Sequence, residues 1–172
     1  MRRWTLEDAP DLHALILANL EHLRPWMGWI SSEPLSIEER RSKMAAWHIR
    51  WEGGEDFSYA IVDDAGGELL GGCGLNRRTA PDGLDLGYWV RGDRTGQDIA
   101  TDAAGALVEA AFSVDGITHV EIRHDAANAA SRRVAEKLGF TCIGEQRDDV
   151  VAPAEVGIDV IWRLDRPGYS GG

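Results

Sequence analysis

The stretch Leu84-Asp85-Leu86-Gly87-Tyr88-Trp89-Val90 runs into the polar segment Arg91-Gly92-Asp93-Arg94-Thr95-Gly96-Gln97. After it, Ile99, Ala103, Ala106, Leu107, Ala110 and Ala111 recur at helical spacing. This is a strand, a loop and a helix in direct succession. Such a junction leaves backbone N–H groups unpaired at the helix start, with the positive end of the helix dipole behind them, which suits phosphate or pyrophosphate. It is not a Walker loop, because no Gly-Lys-Ser/Thr follows, and it lacks the glycine spacing of a dinucleotide fingerprint.

Working outward, Leu12, Leu15, Ile16, Leu20 and Leu23 predict an amphipathic helix over residues 7–22, ended with the help of Pro25. Ser36-Ile37-Glu38-Glu39 reads as a capping box. The helix behind it carries Ile37, Met44, Trp47 and Trp51 and stops at Gly53-Gly54. Alternation at Phe57, Tyr59 and Ile61, a turn at Asp64-Ala65-Gly66-Gly67 and a returning strand over residues 69–75 form a hairpin. Gly71, Gly72 and Gly74 in the returning strand call for a bulge or a close backbone approach. Downstream come a strand over 117–122, a helix over 129–138 closed by Gly139, a strand over 140–146 and an alternating strand over 156–164. The expected class is α/β (α+β), a mixed, mostly antiparallel sheet of six or seven strands flanked by about four helices. Residues 1–166 read as one domain and 167–172 as a frayed tail. The stretch Arg2 to Thr5 leaves room only for a short edge strand, which a second copy of the chain could complete as a homodimer.

The 172 residues, 44% hydrophobic and 27% charged, make about one globular domain. No apolar run reaches membrane-span length, and Cys73 and Cys142 form no Cys-x-x-Cys pair. These features point to a cytoplasmic protein without a disulfide scaffold, metal site or membrane partner. The net charge of −11 argues against a nucleic-acid partner and favours a cationic one such as an amine. The histidines show no metal-ligand spacing and read as structural or surface residues. Of the seven tryptophans, Trp26, Trp29, Trp47 and Trp51 cluster in the first third of the chain, where they are candidates to line an acceptor pocket as well as the core.

A second segment, Asn128-Ala129-Ala130-Ser131-Arg132-Arg133-Val134-Ala135-Glu136-Lys137-Leu138-Gly139-Phe140, combines with the first. Together with His22-Leu23-Arg24-Pro25-Trp26-Met27, these segments resemble the GCN5-related N-acetyltransferases (GNAT), and within them the group typified by RimJ and RimL. The resemblance covers most of the chain and implies a sheet splayed between its fourth and fifth strands, with acetyl-CoA as donor and a primary amine as acceptor, either a protein N-terminus or a small amino compound. It implies that the backbone of Tyr88, Trp89 and Val90 holds the acetyl carbonyl and pantetheine arm, and that Asn128 also contacts that arm. The pyrophosphate would lie on the amides of Gly96, Gln97, Asp98, Ile99, Ala100 and Thr101. The family pattern there is Gln or Arg, two residues, Gly, one residue, then Gly or Ala. Here Asp98 stands in the place of the glycine, adding a side chain and a charge worth about 1 kcal/mol or more of repulsion. The expectation is weakened coenzyme binding. In the competing reading the chain is a binding module that has lost catalysis, and Asp98→Gly restores binding.

Transfer to an amine needs a proton acceptor for the attacking nitrogen and a donor for the departing thiolate. Asp85 lies where related enzymes often carry a glutamate base. Asp148 and Asp149 lie near where the RimL-type enzymes carry one, and Glu155 is a weaker candidate. Ser131 matches the serine of the RimL-type closing motif and is the candidate for helping the leaving thiolate. The tyrosine that other members use would fall near Ala135.

Overall fold

The computed structural model describes residues 1–63, 67–78 and 80–168. Most of the hairpin turn (64–66) and the end of the tail (169–172) lie outside them. Seven strands form one sheet: β1 (Arg2–Arg3), β2 (Asp56–Val62), β3 (Leu69–Asn76), β4 (Gly83–Val90), β5 (His119–Asp125), β6 (Thr141–Arg147) and β7 (Ile158–Asp165), in the spatial order β1-β2-β3-β4-β5-β7-β6. Among the described residues every pairing is antiparallel except β4 with β5. The helices are α1 (Ala9–Ala18), α2 (Leu20–Leu23), α3 (Ile37–Glu52), α4 (Ile99–Phe112) and α5 (Ala129–Lys137).

The single helix expected over 7–22 is divided at Asn19. Its Nδ2 donates to Leu15 O at 2.8 Å, and its Oδ1 accepts from Gly92 N at 2.8 Å, so the break ties α1 to the loop after β4. The capping box at Ser36 is present, with Glu39 N donating to Ser36 Oγ and Ser36 N donating to Glu39 Oε2. The last strand begins at Ile158 and not at 156. Asp125 Oδ2 accepts from the N–H groups of Val156 and Gly157, which precede the ladder, and from Ile158 N at its first residue.

Two apolar clusters sit on opposite faces of the sheet. The larger joins Leu84, Leu86 and Val90 of β4 and Val120 and Ile122 of β5 to Leu107 of α4 and Val134 of α5. The smaller joins α1 and α3 to Ala60 and Leu69, with Trp4 and Met44 inside it. Strand alternation therefore turns Leu84, Leu86, Tyr88 and Val90 one way and Asp85, Gly87 and Trp89 the other. The expected close approach in β3 is real: a Cβ on Gly71 would stand 2.1 Å from Trp89 O, and one on Gly72 2.8 Å from the Trp89 indole Nε1.

Candidate active site

Strand β4 runs to Val90 and β5 to Asp125, yet their pairing covers only Gly83 with His119, Leu84 with Val120 and Asp85 with Glu121. Beyond that point the two strands form an open fork. Arg91 N donates to Leu70 O, and antiparallel bonding alternates back from there. The N–H groups of Leu86, Tyr88 and Val90 consequently face the fork, while the Trp89 backbone faces Gly72 of β3. His22 closes the top, with Nε2 3.2 Å from Val90 O.

On one side of the fork lies a cleft of about 460 Å³ between the end of β4, the start of α4 and α5. Ile99, Ala100 and Thr101, the first residues of α4, line it together with Gly96 and Asp98. Asp98 caps the helix with φ +59°, in the left-handed region. That conformation gives the physical reason for a glycine there, and aspartate is among the side chains that tolerate it best. Its carboxylate forms an ion pair with Lys137 of α5. Arg133 and Arg94 line the same cleft, so an acidic chain concentrates positive charge at this helix start.

On the other side lies a cleft of about 520 Å³ over the part of the sheet face that α1 and α3 leave uncovered. Gly74 and Gly87 face each other across β3 and β4 on its floor. Trp4, Trp26, Trp29, Trp47 and Trp89 stand along one wall, with Trp29 and Trp89 ring centroids 6.1 Å apart. Carboxylates dominate the rest: Asp56, Asp125, Asp148, Asp149, Glu155 and Asp159, against Arg78 and Arg123. Burial pushes the carboxyls of Asp56 and Asp159 above the usual range. Asp85, 6% exposed, lies on this face just under the floor. Its oxygens accept no hydrogen bond, and Arg123 Nε lies 3.7 Å from Oδ1. Burial raises its pKa, with the nearby Arg123 charge acting in the opposite direction.

The two clefts share Trp26, Met27, Tyr88, Trp89, Asn128 and Ser131. The Tyr88 hydroxyl spans the gap from β4 to α5, 2.8 Å from Ser131 Oγ. Asn128 caps α5, its Oδ1 accepting from Ser131 N at 3.1 Å. Two grooves meeting in a strand fork beside a hydroxyl pair can bring two substrates together from opposite faces.

Comparison with known proteins agrees with this arrangement. The Acetyltransferase (GNAT) domain family matches residues 1–141. The chain belongs to the GNAT acetyltransferase family. YdaF of Bacillus subtilis (strain 168), which carries the name of a ribosomal N-acetyltransferase, is 27% identical over 143 residues, 83% of this chain and 77% of that one. RimL, a ribosomal L7/L12 α-N-protein acetyltransferase in complex with coenzyme A, superposes with a TM-score of 0.86 at 22% identity, over 95% of this chain and 92% of that one. The microcin C7 self-immunity acetyltransferase MccE, in complex with acetyl-CoA and AMP, superposes with a TM-score of 0.85 at 20% identity, over 94% and 89% of the two chains. As a GNAT member the chain is an N-acetyltransferase that uses an acyl-CoA donor and an amine acceptor. Among the described residues no helix is long and apolar enough to cross a membrane.

Several expected site residues occupy this GNAT fork and others do not. Trp26, Trp29, Trp47, Asp148, Asp149 and Glu155 line the acidic cleft, and Ser131 and Asn128 stand at the junction. Trp51 is elsewhere: it packs edge-on against Phe57 and Tyr59, at 5.3 and 4.9 Å, under the Arg3 guanidinium. Phe57 and Tyr59 belong to the face of β2 that packs against the larger cluster, whereas Asp56 and Ser58, which alternate with them, line the acidic cleft. Gln97 is exposed and not among the cleft-lining residues, and Trp89 offers its indole, since its backbone faces β3. Sequence reasoning missed Trp4, His22, the Tyr88 hydroxyl and the cations Arg133 and Lys137. The last two carried a signal, being four residues apart on one helix face.

Proposed function

We propose that the chain transfers the acetyl group of acetyl-CoA to the α-amine of a peptide N-terminus. The observation that carries this reading is the pair of clefts, cationic and acidic, that meet at Tyr88, Asn128 and Ser131. In this reading Gly96, Ile99, Ala100 and Thr101 hold the pyrophosphate with Lys137 and Arg133. The fork-facing amides of β4 polarise the thioester carbonyl and stabilise its oxyanion. The acceptor enters over Gly87 from the acidic side, where Asp148, Asp149 and Val151 are exposed and leave space for a chain to extend. An α-amine, with a pKa of about 8 against about 10 for lysine, needs the smaller push to become a nucleophile. Asp85, raised by burial and beneath the floor, takes its proton through one water, and the Ser131 hydroxyl donates a hydrogen bond to the sulfur as the thiolate leaves. The Asp98–Lys137 ion pair offsets the charge that motivates the binding-module alternative.

The test is thiol release from acetyl-CoA with free and N-terminally blocked peptides and with small primary amines, and mass spectrometry of the products. Acetylation confined to free peptide N-termini is expected. Transfer to small amines with no transfer to peptides would overturn the acceptor class, and no acceptor-dependent thiol release would overturn the reading as a whole.

A further inference from the structure

Strand β4 turns four side chains towards α4 and α5: Leu84, Leu86, Tyr88 and Val90. Three are apolar and buried, and Tyr88 is the half-buried fourth. The hydroxyl therefore stands out as the one polar group of that row, and it reaches the fork. Its oxygen lies 2.8 Å from Ser131 Oγ and donates to Ser131 O at 3.2 Å. A phenol has one hydrogen to give, and so has the serine. When Tyr88 donates to Ser131 O, the Ser131 hydrogen is drawn to the Tyr88 oxygen. When Tyr88 donates to Ser131 Oγ, the Ser131 hydrogen is free to point into the junction of the two clefts.

We propose that Tyr88 is a positioning residue for the leaving group: its hydroxyl turns from Ser131 O to Ser131 Oγ as the sulfur departs, and so frees the Ser131 hydroxyl to donate a hydrogen bond to the thiolate. This rests on the reading of Ser131 as the donor to the departing thiolate. Neither Tyr88 nor Ser131 gives up its proton: the thiolate leaves hydrogen-bonded and takes its proton from solvent. Burial pushes its pKa up to about 12, so it remains a neutral donor throughout. Asn128 holds the start of α5 in register through Ser131 N, which fixes the serine while the two hydroxyl hydrogens rotate.

The test is a double-mutant cycle in the full chain with acetyl-CoA and a free-N-terminus peptide, using Tyr88→Phe, Ser131→Ala and both together. Coenzyme affinity and thermal unfolding are measured on each variant. Loss of one hydrogen bond to the donor is expected to lower kcat about tenfold in Tyr88→Phe, with acceptor KM and coenzyme Kd within about twofold of native. In the Ser131→Ala background the second substitution is expected to change kcat by less than about twofold, because the hydroxyl has nothing left to orient. Native kcat in Tyr88→Phe, or losses that multiply in the double variant, would overturn the inference. Native kcat in Ser131→Ala alone would instead remove the reading on which it rests. Incorporation of 4-fluorophenylalanine at Tyr88, which keeps the ring and nearly its length but has no hydroxyl to donate, covers the case in which the phenylalanine variant does not fold. The same loss of about tenfold in kcat is expected on the folded protein, and native kcat there would overturn the inference.

Discussion

Gly87 is exposed in the middle of a central strand whose preceding residues are buried. A Cβ built on it meets nothing within 4 Å, and its φ lies outside the left-handed region that favours glycine. Gly87→Val should therefore be tolerated by the fold. Replacing a strand glycine removes a penalty of about 0.5–1 kcal/mol, so the unfolding free energy should hold or rise by about that much. The same methyl groups would stand above the floor of the acidic cleft, where the amine must come within reach of the fork. Displacing a reacting atom by about 1 Å lowers rate by roughly a hundredfold. The expected outcome is a loss of about that size in kcat/KM for the acceptor, with coenzyme affinity unchanged, since the donor cleft is on the opposite face. Urea unfolding, calorimetric titration with coenzyme A and a thiol-release assay at varied peptide concentration measure the three quantities. A stable variant with native acceptor kcat/KM would show that no acceptor crosses Gly87. An equal loss of coenzyme affinity would show that the substitution distorts β4 itself.

Arg133→Ala and Lys137→Ala should each weaken coenzyme binding by about three- to tenfold, more at low salt than at high, as calorimetry at two ionic strengths would record. Asp85→Asn should lower kcat/KM by about a hundredfold or more. Because the native carboxyl titrates above its ordinary value, the native rate should climb as pH rises through that elevated pKa, and the variant should lose this limb. The sign for stability follows from the same shift. The folded state disfavours the ionised carboxyl, so Asp85→Asn should melt higher than native at pH 8, with the gap closing as both forms become neutral in acid. Glu33 and Arg40 form a buried ion pair at 2.7 Å, and Glu33→Ala should lower the unfolding free energy by about 3–5 kcal/mol, because it leaves the guanidinium uncompensated.

What could be read beforehand follows the range of the forces involved. Helix α4 runs over Ile99–Phe112 as its periodicity indicates, and Ser36 caps α3 as the local Ser-to-Glu spacing requires. Both are set by residues within a few positions of one another. The extent of the fork is not of this kind, because it depends on where β5 stops pairing with β4, a contact between segments more than thirty residues apart. Trp47 and Trp51 look equivalent on one helix stripe, yet one meets Trp4 and the cleft while the other meets Phe57 and Tyr59. Alternation along β4 shows that Asp85, Gly87 and Trp89 share a face. It does not say that α1 and α3 leave part of that face bare, and it is there that the acidic cleft forms. Asp98 was legible as a departure, but its partner Lys137 is 39 residues away and its reason, a left-handed backbone, has no signature in spacing.

Strand β7 follows β6 in the chain but lies between it and β5. During synthesis β6 therefore has no neighbour to join until β7 has been made and has inserted beside β5. The cationic cleft draws only on residues up to Lys137, and every element around it precedes this late insertion. The acidic cleft needs Asp148, Asp149, Glu155 and Asp159, which are placed only once the insertion is complete. The lining of the cationic cleft is thus complete in the chain before that of the acidic cleft, so the two halves of the proposed active site are supplied by successive stretches of synthesis.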